Sequence, residues 1–203
     1  MELDDYQADA FKELGNIGAA HAATTLSQML MCPIELSVPE VQVVDIADLC
    51  RYIGDELTAL IVFQVEYNFA DGGFLVVYMP KDAAVRLADS MLGTADAARD
   101  LTEMDQSAVI EAGNIMVSAF LDATASLLDI VMLPSPPALA VDMAHAALES
   151  VIARIAADTD DVIIFSMEMR GDEPPVYCNI ILLPNRGMFG DIIGLLEEMV
   201  AAA

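Results

Sequence analysis

A short stretch that occurs twice constrains the fold of this chain more than any other feature. Glu13-Leu14-Gly15-Asn16-Ile17 is repeated 98 positions later as Glu111-Ala112-Gly113-Asn114-Ile115. The same offset relates two further pairs, Asp9 with Ser107 and Pro39 with Pro137. Both copies therefore read Asp or Ser, three residues, Glu, two residues, Asn, twenty-two residues, Pro. A pattern that keeps its spacing over thirty-one positions indicates a duplicated unit, with repeats at 1–98 and 99–203.

Hydrophobic periodicity predicts the same order of elements in each half. For the first half it predicts a long helix at 3–31, a strand at 34–45, a short helix at 46–53, a hairpin with strands at 59–67 and 74–79, and a helix at 81–92. For the second half it predicts a long helix at 102–133, a strand at 138–141, a helix at 143–156, a hairpin with strands at 162–169 and 176–183, and a helix at 188–200. Asp4 or Asp5 is a candidate N-cap for the first helix.

These elements predict an α+β fold with pseudo-twofold symmetry. Three strands from each half can form one six-stranded antiparallel or mixed sheet, or two packed three-stranded sheets. A three-stranded half buries too little apolar surface to be stable alone. We therefore expect a single fused domain in which the long motif helices cover the sheet.

The charge balance excludes several classes of partner. The chain has 33 acidic and 8 basic residues and a net charge of −25, which argues against binding to nucleic acid or to an anionic membrane. The carboxylates are scattered, and none of them follows the spacing of a calcium-binding loop. A solvated acidic surface suits high salt, where screening shortens to about 3 Å at 1 M, so we expect a halophilic source.

Cysteine usage and hydropathy predict a cytoplasmic protein. Cys32, Cys50 and Cys178 are odd in number and far apart, so they suggest neither a disulfide framework nor a zinc site. The N-terminus lacks the basic region and apolar run of a signal peptide. We see no uncharged apolar run of about 18 residues that would predict a membrane span.

The motif places a carboxylate and an amide on one helix face. Residues three and four apart lie on the same face, so Asp9, Glu13 and Asn16 form one polar stripe, and Ser107, Glu111 and Asn114 form the other. A single stripe of this kind is more often an ordinary solvated face. Its duplication at fixed spacing favours a functional site.

Asn is a poor general base, but its amide can hold and aim a water molecule. Phosphoryl transfer depends mainly on such positioning. Glu is a poor ligand for a phosphate but a good partner for a lysine beside one. The pair therefore predicts docking on a phosphorylated site of another protein and alignment of a water there.

The repeated pattern resembles the signature of the CheC/CheX/FliY family of chemotaxis phosphatases, and two intact copies in about 200 residues are typical of its CheC type. The resemblance implies hydrolysis of the aspartyl phosphate of the response regulator CheY. Glu13 and Glu111 would pair with the regulator's active-site lysine, and Asn16 and Asn114 would orient the attacking water. The regulator would supply magnesium, so no metal ligand and no cofactor are expected in this chain.

The resemblance also implies CheD as a second partner. The internal duplication already supplies the symmetry of a dimer, which favours a monomer.

Two alternatives to the phosphatase stay open: a non-catalytic module that binds phosphorylated CheY or CheD, and a component of the motility switch. The copies also differ, since Gly18 and His21 correspond to Met116 and Ala119, so the two sites need not be equally active.

We expect the fold to require salt, because self-repulsion of the acidic surface is screened only at high ionic strength. Circular dichroism across a dialysis series from molar to millimolar sodium chloride should show loss of structure at the dilute end. Full stability in dilute buffer would contradict this expectation.

Overall fold

The computed structural model of the chain describes residues 5–31, 33–94, 99–155, 157–170 and 176–202. The helices are α1 Asp5–Leu30, a 3₁₀ helix Ile46–Arg51, α2 Lys81–Leu92, α3 Glu103–Leu128, α4 Ala144–Ile155 and α5 Arg186–Ala202. The strands are β1 Glu35–Asp45, β2 Leu57–Tyr67, β3 Ala70–Pro80, β4 Met132–Pro134, β5 Ala138–Met143, β6 Asp161–Arg170 and β7 Val176–Pro184. This confirms the predicted α+β class.

The described strands form a single antiparallel sheet in the order β1-β6-β7-β3-β2, with β4 and β5 both paired to the outer side of β2. Of the two predicted arrangements, the single sheet is the one observed. The first strand of each half pairs with the hairpin of the other half, because β1 lies beside β6 and β5 lies beside β2. Strands β3 and β7 meet at the centre.

Both faces of the sheet are covered, which accounts for the apolar fraction of 56%. Helices α1, α2, α3 and α5 contribute to the larger core, whereas α4 and the 3₁₀ helix contribute to the smaller core on the opposite face. Alternate residues of β2 point to opposite faces, so Ile61 lies in the larger core and Leu60 in the smaller.

The motif helices approach their neighbours closely at glycines. A Cβ atom on Gly15 would lie 2.9 Å from Phe165 Cδ1 of β6, and one on Gly113 would lie 2.4 Å from Ile61 Cδ1 of β2. Each motif helix therefore lies on a hairpin strand of the other half. A Cβ on Gly18 would lie 2.5 Å from Phe120 Cδ2 of α3, so any side chain there would separate α1 from α3.

Helix α3 is shorter than its hydrophobic pattern predicted. It begins with a capping box in which Thr102 is the N-cap and Asp105 the N3 residue. It ends at Leu128, where Asp129 takes a left-handed conformation with φ 54°. The predicted continuation to Leu133 was wrong, because Met132–Pro134 instead forms β4 and pairs with β2.

The first hairpin turns more tightly than predicted. Asn68 and Phe69 have φ values of 47° and 66°, as in a two-residue turn whose twist suits a hairpin. Strand β3 therefore begins at Ala70, inside the segment that was predicted as a loop up to Gly73. The described residues do not include 171–175, between the strands of the second hairpin, nor the N-cap candidate Asp4, nor Cys32.

The two edges of the sheet are irregular at corresponding places. The β1–β6 register shifts between Ser37 and Glu40, so Val38 and Pro39 together lie opposite Met167. Pro39 of the repeated pattern therefore lies in a bulge within the strand. At the other edge, the segment Ser135–Pro137 separates β4 from β5.

An ion-pair cluster joins the end of α2 to the start of α3. The Arg99 guanidinium donates to Asp89 Oδ1 at 2.7 Å and to Asp105 Oδ1 at 2.9 Å. Hydrogen bonds from Arg99 and Thr102 lower the pKa of the Asp105 carboxyl to about 2. The side chain of Asp105 is 2% exposed, so its charge is stabilised by these partners rather than by water.

Stability should depend on pH through Asp105. A carboxyl with a depressed folded-state pKa stabilises the fold above its unfolded pKa, here near the ordinary value of 3.8, and that contribution is lost as pH falls towards about 2. The difference in unfolding free energy between wild type and Asp105→Asn should therefore shrink between about pH 4 and pH 2. Urea titrations at fixed salt measure it, and a difference independent of pH would contradict the assignment.

Gly18→Ala should destabilise the protein. The added methyl meets the Phe120 ring and its Cα, and overpacking of this kind costs about 1–3 kcal/mol, which outweighs the gain of about 1 kcal/mol from replacing a helical glycine.

Gly190→Ala in α5 is the matched control, because a Cβ there meets nothing within 4 Å. It should raise the urea midpoint, whereas Gly18→Ala should lower it. Equal shifts for the two variants would contradict the close approach of α1 and α3.

Candidate functional site: two Glu/Asn faces on the central helices

The four motif side chains lie where the helical spacing predicted. Glu13 and Glu111 are exposed, and Asn16 and Asn114 are half-buried. The glycine between Glu and Asn in each copy is buried against the sheet. Its contact with a strand fixes the rotation of the helix, so that the Glu of that copy is exposed and the Asn lies at the half-buried margin of the same helix face.

The two carboxylates have no internal partner. Within the described part of the chain, neither Glu13 nor Glu111 makes an ion pair or a hydrogen bond. Six of the eight basic residues, by contrast, are held in ion pairs, namely Arg51, Lys81, Arg86, Arg99, Arg170 and Arg186. An exposed, unpaired carboxylate can accept charge-assisted hydrogen bonds from a cation.

The two amides differ in their surroundings. The Val38 backbone N–H in the β1 bulge donates to Asn16 Oδ1, with an N···O distance of 3.3 Å. Asn114 makes no side-chain hydrogen bond to the rest of the described chain. The position 98 residues after Val38 is Pro136, which has no N–H to donate.

The remaining motif residues have less direct roles. Asp9 is exposed on α1. The Ser107 hydroxyl donates to the Glu103 carbonyl at 2.9 Å, so it is bonded within its own helix. Pro39 lies in the β1 bulge, and Pro137 lies in the segment between β4 and β5. The signature prolines therefore mark where the edge strand beside each motif helix departs from regular pairing.

The faces lie apart from two cavities that the described residues form. Neither of two cavities of about 410 Å³ is lined by a motif residue. No group of three or more His, Cys, Asp or Glu side chains in the described ranges is placed to hold a metal ion. An exposed helix face without a pocket suits a macromolecular partner rather than a small molecule.

Sequence reasoning missed two contributors to these faces. One is the Val38 N–H; its position directly before Pro39 of the signature could have identified it. The other is the support under each glycine, Phe165 and Ile61, which no local pattern identifies because each belongs to the other half of the chain.

Among the described helices, α3 is the one long and apolar enough to cross a membrane by length and composition. More than half of its apolar window, 56%, is buried within this fold. Its place between the sheet, α1 and α2 accounts for that hydropathy.

Comparison with known proteins finds a family that resembles the two motif segments. A sequence model of the CheC-like family matches residues 7–43 and 104–141, which are the two motif helices with the segments that follow them. Over these two segments the chain is similar to the CheC-like family.

Two relatives resemble the chain over nearly its whole length. It is 26% identical to the CheY-P phosphatase CheC of Bacillus subtilis, covering 92% of each chain. It is 24% identical to the putative CheY-P phosphatase CheC1 of Halobacterium salinarum, covering 94% of this chain and 96% of that one.

Among solved structures, the fold is similar to that of FliY from Thermotoga maritima, with a TM-score of 0.79 at 24% identity over 98% of this chain and 99% of the other. The FliM middle domain from Helicobacter pylori shares the fold with a TM-score of 0.72 at 13% identity, over 95% of this chain and 99% of the other. At these identities the likeness describes the fold alone.

Proposed function

We propose that this protein is a phosphatase that hydrolyses the aspartyl phosphate of a CheY-type response regulator. The curated relatives that span this chain carry the name CheY-P phosphatase. The observation that carries the proposal is the pair of exposed faces, each presenting an unpaired carboxylate and an amide one helical turn apart.

Each residue type has one role. Glu13 and Glu111 form charge-assisted hydrogen bonds to a lysine beside the phosphoryl group, which anchors the motif helix over the regulator's active site. Asn16 and Asn114 hold a water by the amide oxygen and aim it at phosphorus. Because the transition state of phosphoryl transfer is loose, positioning of this water supplies much of the rate enhancement.

The chemistry requires no metal from this chain. The charge that develops on the phosphoryl oxygens is neutralised by magnesium that the regulator brings. We further propose that the protein is cytoplasmic and monomeric and that it binds CheD. Light scattering after size exclusion tests the monomer, and co-purification with CheD tests that partner.

Removal of both Asn side chains should abolish the activity. Asn16→Ala and Asn114→Ala should each lose part of the acceleration of phospho-CheY decay. The double variant should lose about 100-fold or more, the cost of removing one preorganised polar group from a reaction centre, and should leave the intrinsic decay rate. The measurement is the loss of phosphate from CheY in magnesium-containing buffer.

Gln28→Ala is the matched control, because it removes an exposed amide from α1 away from the motif face. It should keep wild-type activity. Full activity of the Asn16→Ala/Asn114→Ala protein would overturn the site assignment. Binding of phospho-CheY without faster decay by the wild type would instead identify a non-catalytic binding module.

A further inference from the structure

The two faces differ in one backbone donor. The Asn16 amide oxygen accepts a hydrogen bond from Val38 N–H, whereas proline at the corresponding position 136 has no N–H. The difference is built into the sheet edges: Val38 lies in the bulge of β1, where it has no register partner on β6, and Pro136 lies in the break between β4 and β5.

The direction of this hydrogen bond determines its effect. It turns the Asn16 amide oxygen towards its own edge strand, and this oxygen is the atom that would hold the attacking water. To reach a phosphate on a docked protein, Asn16 must give up the bond to Val38. Asn114 has no such bond within the described chain and can turn outwards without that cost.

We propose that the Glu111/Asn114 face is the faster of two unequal sites, because the Val38 N–H restrains Asn16 in the resting protein. Val38 is thus a positioning residue that acts through Asn16, and Pro136 releases Asn114 from the equivalent restraint. This inference rests on the proposed phosphatase function. It predicts a difference in kcat rather than in KM, since the Glu contacts that anchor the partner are present in both copies.

The faces also differ at Lys12, which corresponds to Ile110, and at Asp9, which corresponds to Ser107. A comparison of kcat between the two faces alone would therefore combine the effects of these side-chain differences with the effect of the Val38 N–H. Pro136→Val separates them, because it gives the second copy the residue and the donor of the first and leaves every other face residue unchanged. Pro136 is exposed, so the fold should tolerate this change.

The experiment uses full-length proteins with one active face each. The Asn16→Ala protein, which keeps the second face, should show a kcat about 2- to 10-fold above that of the Asn114→Ala protein, the factor that one hydrogen bond of ordinary net strength is worth. Adding Pro136→Val to the Asn16→Ala protein should lower kcat by a similar factor and leave KM within about twofold, since the Glu111 contact is untouched. Pro33→Val in the same background is the control for losing an exposed proline, and it should change neither value.

A second measurement reports the hydrogen bond in the resting protein. Asn16→Ala should speed hydrogen exchange of the Val38 amide and leave that of Val43, which is paired with Ile163 on β6, unchanged. Val38→Pro in the Asn114→Ala protein should raise kcat; if that protein does not fold, the Pro136→Val result decides.

An unchanged kcat in Asn16→Ala/Pro136→Val, or a first face as fast as the second, would overturn the inference and leave the phosphatase proposal intact. If neither single-face protein accelerates phospho-CheY decay, the proposed function itself is wrong, and the inference falls with it.

Discussion

The contact of two glycines with the sheet is the constraint on which the rest of the molecule depends. Gly15 and Gly113 have no side chain, so α1 and α3 rest directly on Phe165 and Ile61. A helix that lies this close can be rotated very little, because either neighbouring side chain would have to enter the same space. This packing contact therefore sets the helix rotation at which each Glu is exposed and each Asn is half-buried, and Asn16 has in addition the hydrogen bond from Val38.

The basic residues are used mainly in internal ion pairs, and none of these pairs includes a motif carboxylate. Most basic side chains are held in ion pairs with nearby carboxylates, and the Arg99 cluster fixes the start of α3 against the end of α2. Few cations remain to neutralise the helix faces. The motif carboxylates have no ion-pair partner within the described chain, and a net charge of −25 favours partners with a positive surface.

Local patterns in the sequence were sufficient for the element order apart from β4, for the fold class and for the stripe of Glu and Asn. They failed where two conformations share one hydrophobic pattern: Ile130–Leu133 continues the apolar run of α3, and only the left-handed Asp129 separates it from the helix. The order of the strands in the sheet could not be predicted either, because β1 and β6 meet through backbone pairing that no side-chain spacing encodes. The hydrogen bond from Val38 to Asn16 could not be predicted, because every residue except proline carries a backbone N–H and nothing in the sequence singles out this one. The lack of an N–H at Pro136, by contrast, can be read directly from the sequence.

The pairing of each edge strand with the other half bears on how the chain is made. Asp45 pairs with Asp161, so β1 has no partner until most of the polypeptide has left the ribosome. At about 5–20 residues per second, that wait lasts several seconds or longer. During the first part of it, until α3 has been made, the apolar strands of the first hairpin lack the cover of that helix. The dense acidic charge that repels such nascent chains from one another then protects them from aggregation at the stage when they are most exposed.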